Sequence, residues 1–96
     1  MVVHIVLFAF KEENKEQNIQ RVKEQLMALP QKIEVLKSME VGINETDSPR
    51  AMDLSLYSTF ESFDDLKTYA THPAHLEVLE YIKAVTEFTK VVDYTL

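Results

Sequence analysis

The stretch Val2-Val3-His4-Ile5-Val6-Leu7-Phe8-Ala9-Phe10 limits the folds open to this chain more than any other. It is β-branched and aromatic, contains no breaker, and reads as a strand. Alternation along a strand puts His4, Val6, Phe8 and Phe10 on one face and Val3, Ile5, Leu7 and Ala9 on the other. Both faces are apolar, so both have to be covered. His4 is the exception, a titratable group on a greasy face. It is either a site residue or a side chain that hydrogen-bonds a neighbouring strand end. The segment has no basic lead-in, runs directly into Lys11-Glu12-Glu13 and is too short to span a bilayer. A buried first strand is therefore expected rather than a signal peptide.

The remaining pattern supplies the cover for one face. Residues 14 to 29 predict a helix, with Asn14 as N-cap and Ile19, Val22, Leu26 and Leu29 as its apolar stripe. Pro30 ends it, because the residue before a proline avoids α geometry. Residues 33 to 44 read as extended, with Val35, Met39, Val41 and Ile43 on one face and Leu36, Ser38, Glu40 and Gly42 on the other. Gly42 is the only glycine, and within a strand it marks a bulge or a close approach. A polar loop at 44–50 leads to a strand over 51–60, so the two strands form an antiparallel hairpin. There Leu54, Leu56 and Phe60 alternate with Asp53, Ser55, Tyr57 and Thr59. Ser62 and Asp65 stand in capping-box positions for the next helix, with Phe63, Leu66 and Ala70 facing inward and Tyr69 beside them. Pro73 stops that helix and starts another. Leu76, Leu79 and Ile82 form its inner face, flanked by Val78 and Val85. Phe88 to Leu96 is the last strand.

The order β-α-β-β-α-β specifies a ferredoxin-like α+β fold with a broken second helix, in one domain spanning residues 1–96. Its helices cover one sheet face only. The other face is also apolar, and a soluble monomer avoids so large a patch. The expectation is a homodimer in which two sheets pack face to face.

Charge and cysteine usage narrow the function. Net charge is −6, and the ten Lys and Arg residues form no cluster. That argues against a nucleic-acid groove and against an acidic membrane surface. Cysteine is absent, which excludes disulfides, thiolate nucleophiles and thiolate metal sites, and fits a cytoplasmic setting.

Chemistry concentrates in Thr68-Tyr69-Ala70-Thr71-His72-Pro73-Ala74-His75, which holds two of the three histidines and a tyrosine around a fixed kink. Pro73 at the first helical position puts His72 near the N-cap and His75 in the first turn. A helix N-terminus disfavours added positive charge, so both imidazoles lean neutral. A neutral His75 can accept a proton next to a carbonyl, while the Tyr69 phenol orients that carbonyl. This chemistry needs no metal and no cofactor. A purely structural account assigns the same residues other tasks: His72 caps a helix, His75 bonds a backbone carbonyl, and Tyr69 is core with its hydroxyl at the rim. The two accounts stand level on the residues alone. His72-x-x-His75 lacks an adjacent carboxylate, so a metal site is not expected.

Three segments together resemble one family. They are His4-Ile5-Val6-Leu7-Phe8, Phe60-Glu61-Ser62-Phe63 with Tyr69-Ala70-Thr71-His72-Pro73-Ala74-His75, and Val91-Val92-Asp93-Tyr94. The chain is similar along its whole length to the stress-responsive A/B barrel (Dabb) family of dimeric α+β barrels. The resemblance implies a small dimer with a pocket between the sheet and the broken helix. In its olivetolic acid cyclase branch, the resemblance implies catalysis through residues matching Tyr69 and His75, with the match to His4 lining the pocket. That branch also has a third-strand histidine, and the residue aligned with it is Leu54. This departure sets binding of a small apolar or carbonyl-containing ligand ahead of a cofactor-independent cyclase or isomerase. His4, His72, Tyr57 and Tyr94 are the expected ligand-binding residues, and Tyr69 and His75 the expected catalytic pair.

Overall fold

The computed structural model describes residues 1–96. It contains strand β1 (Val2–Phe10), helix α1 (Lys15–Met27), a 3-10 turn at Leu29–Gln31, and strands β2 (Ser38–Ile43) and β3 (Leu54–Phe60). Helices α2 (Phe63–Thr71) and α3 (Pro73–Val85) follow, and strand β4 (Thr86–Thr95) closes the chain. The four strands form one antiparallel sheet in the order β2-β3-β1-β4. This is the ferredoxin-like arrangement the element order predicts.

Register decides which residues meet the helices. His4 lies opposite Ser58 on β3 and Asp93 on β4, Val6 opposite Leu56 and Val91, and Phe8 opposite Leu54 and Thr89. These side chains point toward the helical layer. There Phe8, Phe10, Leu54, Leu56 and Phe60 pack with Val22, Leu26, Leu29, Tyr69 and Ile82 into a single core. The opposite face pairs Ile5 with Tyr57 and Val92, and Ala9 with Phe88. Leu7, Tyr57, Phe88, Val92 and Tyr94 are all exposed on it. The uncovered apolar face expected from β1 is therefore present, and it extends across three strands.

Several boundaries differ from the sequence expectation. Residues 33–37 are not extended. Lys32 and Ile33 donate to the Leu29 carbonyl, and Leu36 donates to that of Ile33. The turns this winding creates carry both Ile33 and Leu36 into the core, whereas a strand would have put them on a different pattern of faces. β3 begins at Leu54 rather than at residue 51. Asn14 precedes α1 as expected but in a left-handed conformation, φ 54°, which asparagine tolerates, and its side chain caps nothing. On α2 the buried pair is Leu66 and Tyr69, while Phe63 and Ala70 are exposed. On α3 the inward stripe is Val78 and Ile82 with Ala74, Tyr81 and Val85 beside them. That is a 74-78-81-82-85 helical face, so Leu76 turns outward and Leu79 falls at the border.

The end of β1 is fixed by a side chain from the hairpin loop. Its pairing with β4 shifts register between Ala9 and Phe10. There the Asp53 amide donates to the Phe8 carbonyl at 2.8 Å, and the Phe10 amide donates to the Asp53 carboxylate, also at 2.8 Å. Phe10 is almost fully buried, so its amide has no easy alternative partner. Asp53→Ala is expected to lower unfolding free energy by about 1–3 kcal/mol, the cost of a stranded buried donor. Urea denaturation checks this; an unchanged midpoint would mean that water replaces the carboxylate.

Candidate functional site

The site is built where α2 gives way to α3. Ser62 caps α2 by accepting from the Asp65 amide at 3.1 Å, as the sequence predicts. The helix stops at Thr71, and His72 takes an extended conformation, φ −64° and ψ 135°. Pro73 has no amide hydrogen, so the Tyr69 carbonyl cannot continue the helical ladder and instead accepts from His72 at 3.1 Å. His72 is the N-cap of α3: its Nδ1 accepts the Ala74 amide hydrogen at 3.0 Å. That diverts the donor that an unbroken helix would direct to the Ala70 carbonyl. Ala70 then accepts from His75 Nδ1 at 2.9 Å.

His4 reaches the same region from β1. Its Nδ1 bonds the Asp93 carboxylate on β4, across the cross-strand pair set by the sheet register. The two imidazoles flank a cavity of about 220 Å³ between sheet and helices, walled mainly by apolar side chains that include Val6, Leu79, Ile82 and Val91. The Tyr69 ring lies behind them, 4.5 Å from the His75 ring, 5.1 Å from Phe60 and 6.3 Å from His4, centroid to centroid.

Protonation states follow from this packing. Burial is the largest effect on His75 and lowers its pKa; the bond to Ala70 partly offsets this, while the nearby His4 and His72 push in the same direction as burial. The neutrality anticipated from the helix N-terminus is thus favoured chiefly by desolvation. Burial also pushes the Tyr69 phenol well above the ordinary tyrosine range, so it remains an O–H donor. That hydroxyl is sealed from solvent and has no hydrogen-bond partner.

The residues expected at the site separate into three groups. His4 and His75 line the cavity. Tyr69 is fully buried beneath it rather than at its rim, and His72 commits one nitrogen to its own helix. Tyr57 and Tyr94 lie on the opposite sheet face, so neither belongs to a pocket between sheet and helices. Tyr57 pairs with Ile5 and Tyr94 with Val3, and strand alternation points both away from the helical layer. Leu54 shares the face of His4 but is packed beside Phe8 in the core. Asp93 is the residue that sequence reasoning misses. In the sequence it stands within the Val91-Val92-Asp93-Tyr94 segment with no role assigned to it, and its partner emerges only from the β1–β4 register.

Two results are expected. Tyr69→Phe removes a donor without a partner, so its thermal midpoint should be unchanged or higher; a loss of more than about 1 kcal/mol would reveal a bond to that hydroxyl in solution. For His75, the unfolded chain binds a proton more readily than the native one. Stability should therefore rise with pH from the lowered native value up to about 6.5 and level off above it. His75→Ala should flatten that slope in denaturation midpoints measured across the acidic range. A wild-type slope retained in full would assign the proton uptake elsewhere.

Comparison with known proteins agrees with the fold. The model of the Stress responsive A/B Barrel Domain family matches residues 2–96. The chain is 32% identical over 80 residues to a stress-response A/B barrel domain-containing protein of Arabidopsis thaliana; the match covers 83% of this chain but only 30% of that relative's length. Among solved structures, a dimeric protein of unknown function with a ferredoxin-like fold from Bacteroides fragilis superimposes with a TM-score of 0.89 at 37% identity, covering 99% of this chain and 95% of that one. The At3g17210 protein of Arabidopsis thaliana gives a TM-score of 0.88 at 26% identity, covering 100% and 95%.

Proposed function

Because this chain belongs to the stress-responsive A/B barrel family, with the family pattern running over residues 2–96, we propose that it is a homodimeric small-molecule-binding protein. Its ligand occupies the cavity between the sheet and the broken helix. The observation that carries this reading is the cavity itself: an apolar chamber with two histidines at its polar end, each anchored through Nδ1. Apolar walls with a few fixed polar groups are the usual makeup of a small-molecule site.

The dimer forms through the uncovered sheet face. Leu7, Tyr57, Phe88, Val92 and Tyr94 would otherwise stay in water, and aromatic residues are favoured at the buried centre of interfaces. The Bacteroides relative, described as dimeric, supports this reading. A location in the cytoplasm is part of the same proposal and rests on the absence of cysteine.

A second reading draws support from the chemistry of His75. Burial favours its neutral form, and Nε2 has no protein partner, as a general base requires. In that case the protein is a cofactor-independent cyclase or isomerase. The Tyr69 hydroxyl, sealed as it is, would have to shift toward the cavity to orient a carbonyl.

Light scattering after size exclusion should give about twice the 11.1 kDa chain mass at micromolar concentration, and a Tyr57→Glu/Val92→Glu double variant should give the monomer. A wild-type monomer would remove the dimer. Leu79→Trp fills the cavity, so small apolar probes that shift amide signals of cavity residues in the wild type should leave this variant unmoved. Equal shifts in both would move the binding site elsewhere.

A further inference from the structure

The hydrogen-bond partners of the two histidines define what the cavity can recognise. The Ala70 carbonyl can only accept, so His75 Nδ1 must carry the hydrogen that joins them. A neutral His75 therefore has a bare lone pair on Nε2. The Asp93 carboxylate, when ionised, likewise only accepts, so His4 Nδ1 is also a donor. In its neutral form His4 too has a bare Nε2. Neither Nε2 bonds to any protein group, and the Tyr69 hydroxyl is the sole side-chain polar atom both sealed and unpartnered. Both Nε2 atoms are therefore reachable, on rings that line the cavity.

With both rings neutral, the polar end of this chamber offers two acceptors. The Tyr69 donor is closed off beneath them. At the histidine end, a ligand whose only polar group is a carbonyl would bring a third acceptor and leave its own oxygen unpaired; Thr89, whose hydroxyl could donate, lines the far end, exposed and opposite Phe8 on β4. A ligand with a hydroxyl satisfies one imidazole directly. Size sets the rest: an apolar protein cavity of roughly 150 Å³ takes up benzene, and this one, at about 220 Å³, suits a single six-membered ring with a substituent.

Building on the binding reading above, we propose that the cavity selects small, mainly apolar molecules carrying a hydroxyl, an alcohol or a phenol, over the corresponding ketones. His75 and His4 act as the hydrogen-bond acceptors. Asp93 and the Ala70 carbonyl are positioning groups that fix the imidazole tautomers.

Cyclohexanol and cyclohexanone, nearly equal in size, test this. Each is titrated into the full chain at pH 8, where free histidine is neutral, with amide chemical shifts of cavity residues giving Kd. Cyclohexanol should bind at least about threefold more tightly, the advantage of one modest hydrogen bond. In His75→Ala the two should come closer together. Equal affinity, or tighter ketone binding, in the wild type would overturn the hydroxyl preference and leave the cavity as a binding site. Absence of any shift at cavity residues with either compound at millimolar concentration would overturn the binding reading as well.

Discussion

The bond between His75 and the Ala70 carbonyl depends on the break between α2 and α3, and the site depends on that bond. Pro73 removes one backbone donor, and His72 captures a second by accepting the Ala74 amide. The carbonyl of Ala70 is thereby freed from the helical ladder and becomes a fixed acceptor for His75. Four consecutive residues, His72-Pro73-Ala74-His75, thus carry both a structural and a chemical instruction. The first histidine makes the break stable, and the break orients the second. What looks like a cluster of functional histidines is in part a capping device, and the capping device determines which nitrogen the other histidine presents.

The sheet supplies the second half of the arrangement. β1 lies between β3 and β4, so His4 is held on both sides, with Ser58 and Asp93 as its register partners. The Ser58 hydroxyl, fully buried, donates to the His4 carbonyl at 3.2 Å and ties down the backbone beneath the ring. One face of this sheet holds the cavity and the other an apolar surface. β4 contributes to both: Asp93 and Val91 toward the cavity, Val92 and Tyr94 toward the open face.

The two-residue period was legible in the sequence, and so were the element order, the proline break and the uncovered face. Alternation already separated Tyr57 from Leu54, Leu56 and Phe60, so the pattern itself placed that tyrosine away from the pocket; aromatic character drew it into the site expectation nonetheless. The helical faces are less legible. In α3, leucines at 76 and 79 suggested a stripe one step round from the true one, because hydrophobicity alone does not say which way a half-apolar helix turns toward its sheet. Residues 33–37 read as the start of the strand that follows them, yet the winding that continues from the 3-10 turn at Leu29–Gln31 sends Ile33 and Leu36 to the same core. The contact between His4 and Asp93 joins residues 89 positions apart, and no local pattern encodes it. Tyr69 was expected at the edge of the pocket, but its ring is wedged among His4, Phe60 and His75, where packing takes precedence over its hydroxyl.

The cavity's acceptor character requires a specified proton position, and nitrogen chemical shifts of the imidazole rings read it directly. Long-range 15N–1H correlation spectra of the protein labelled at histidine distinguish the Nδ1–H tautomer from the Nε2–H one. At pH 8, His75 should appear as the neutral Nδ1–H tautomer with Nε2 unprotonated, because the only group its Nδ1 meets is an acceptor. A His75 found as the Nε2–H tautomer would contradict the role given to the helix break and remove the acceptor from the cavity.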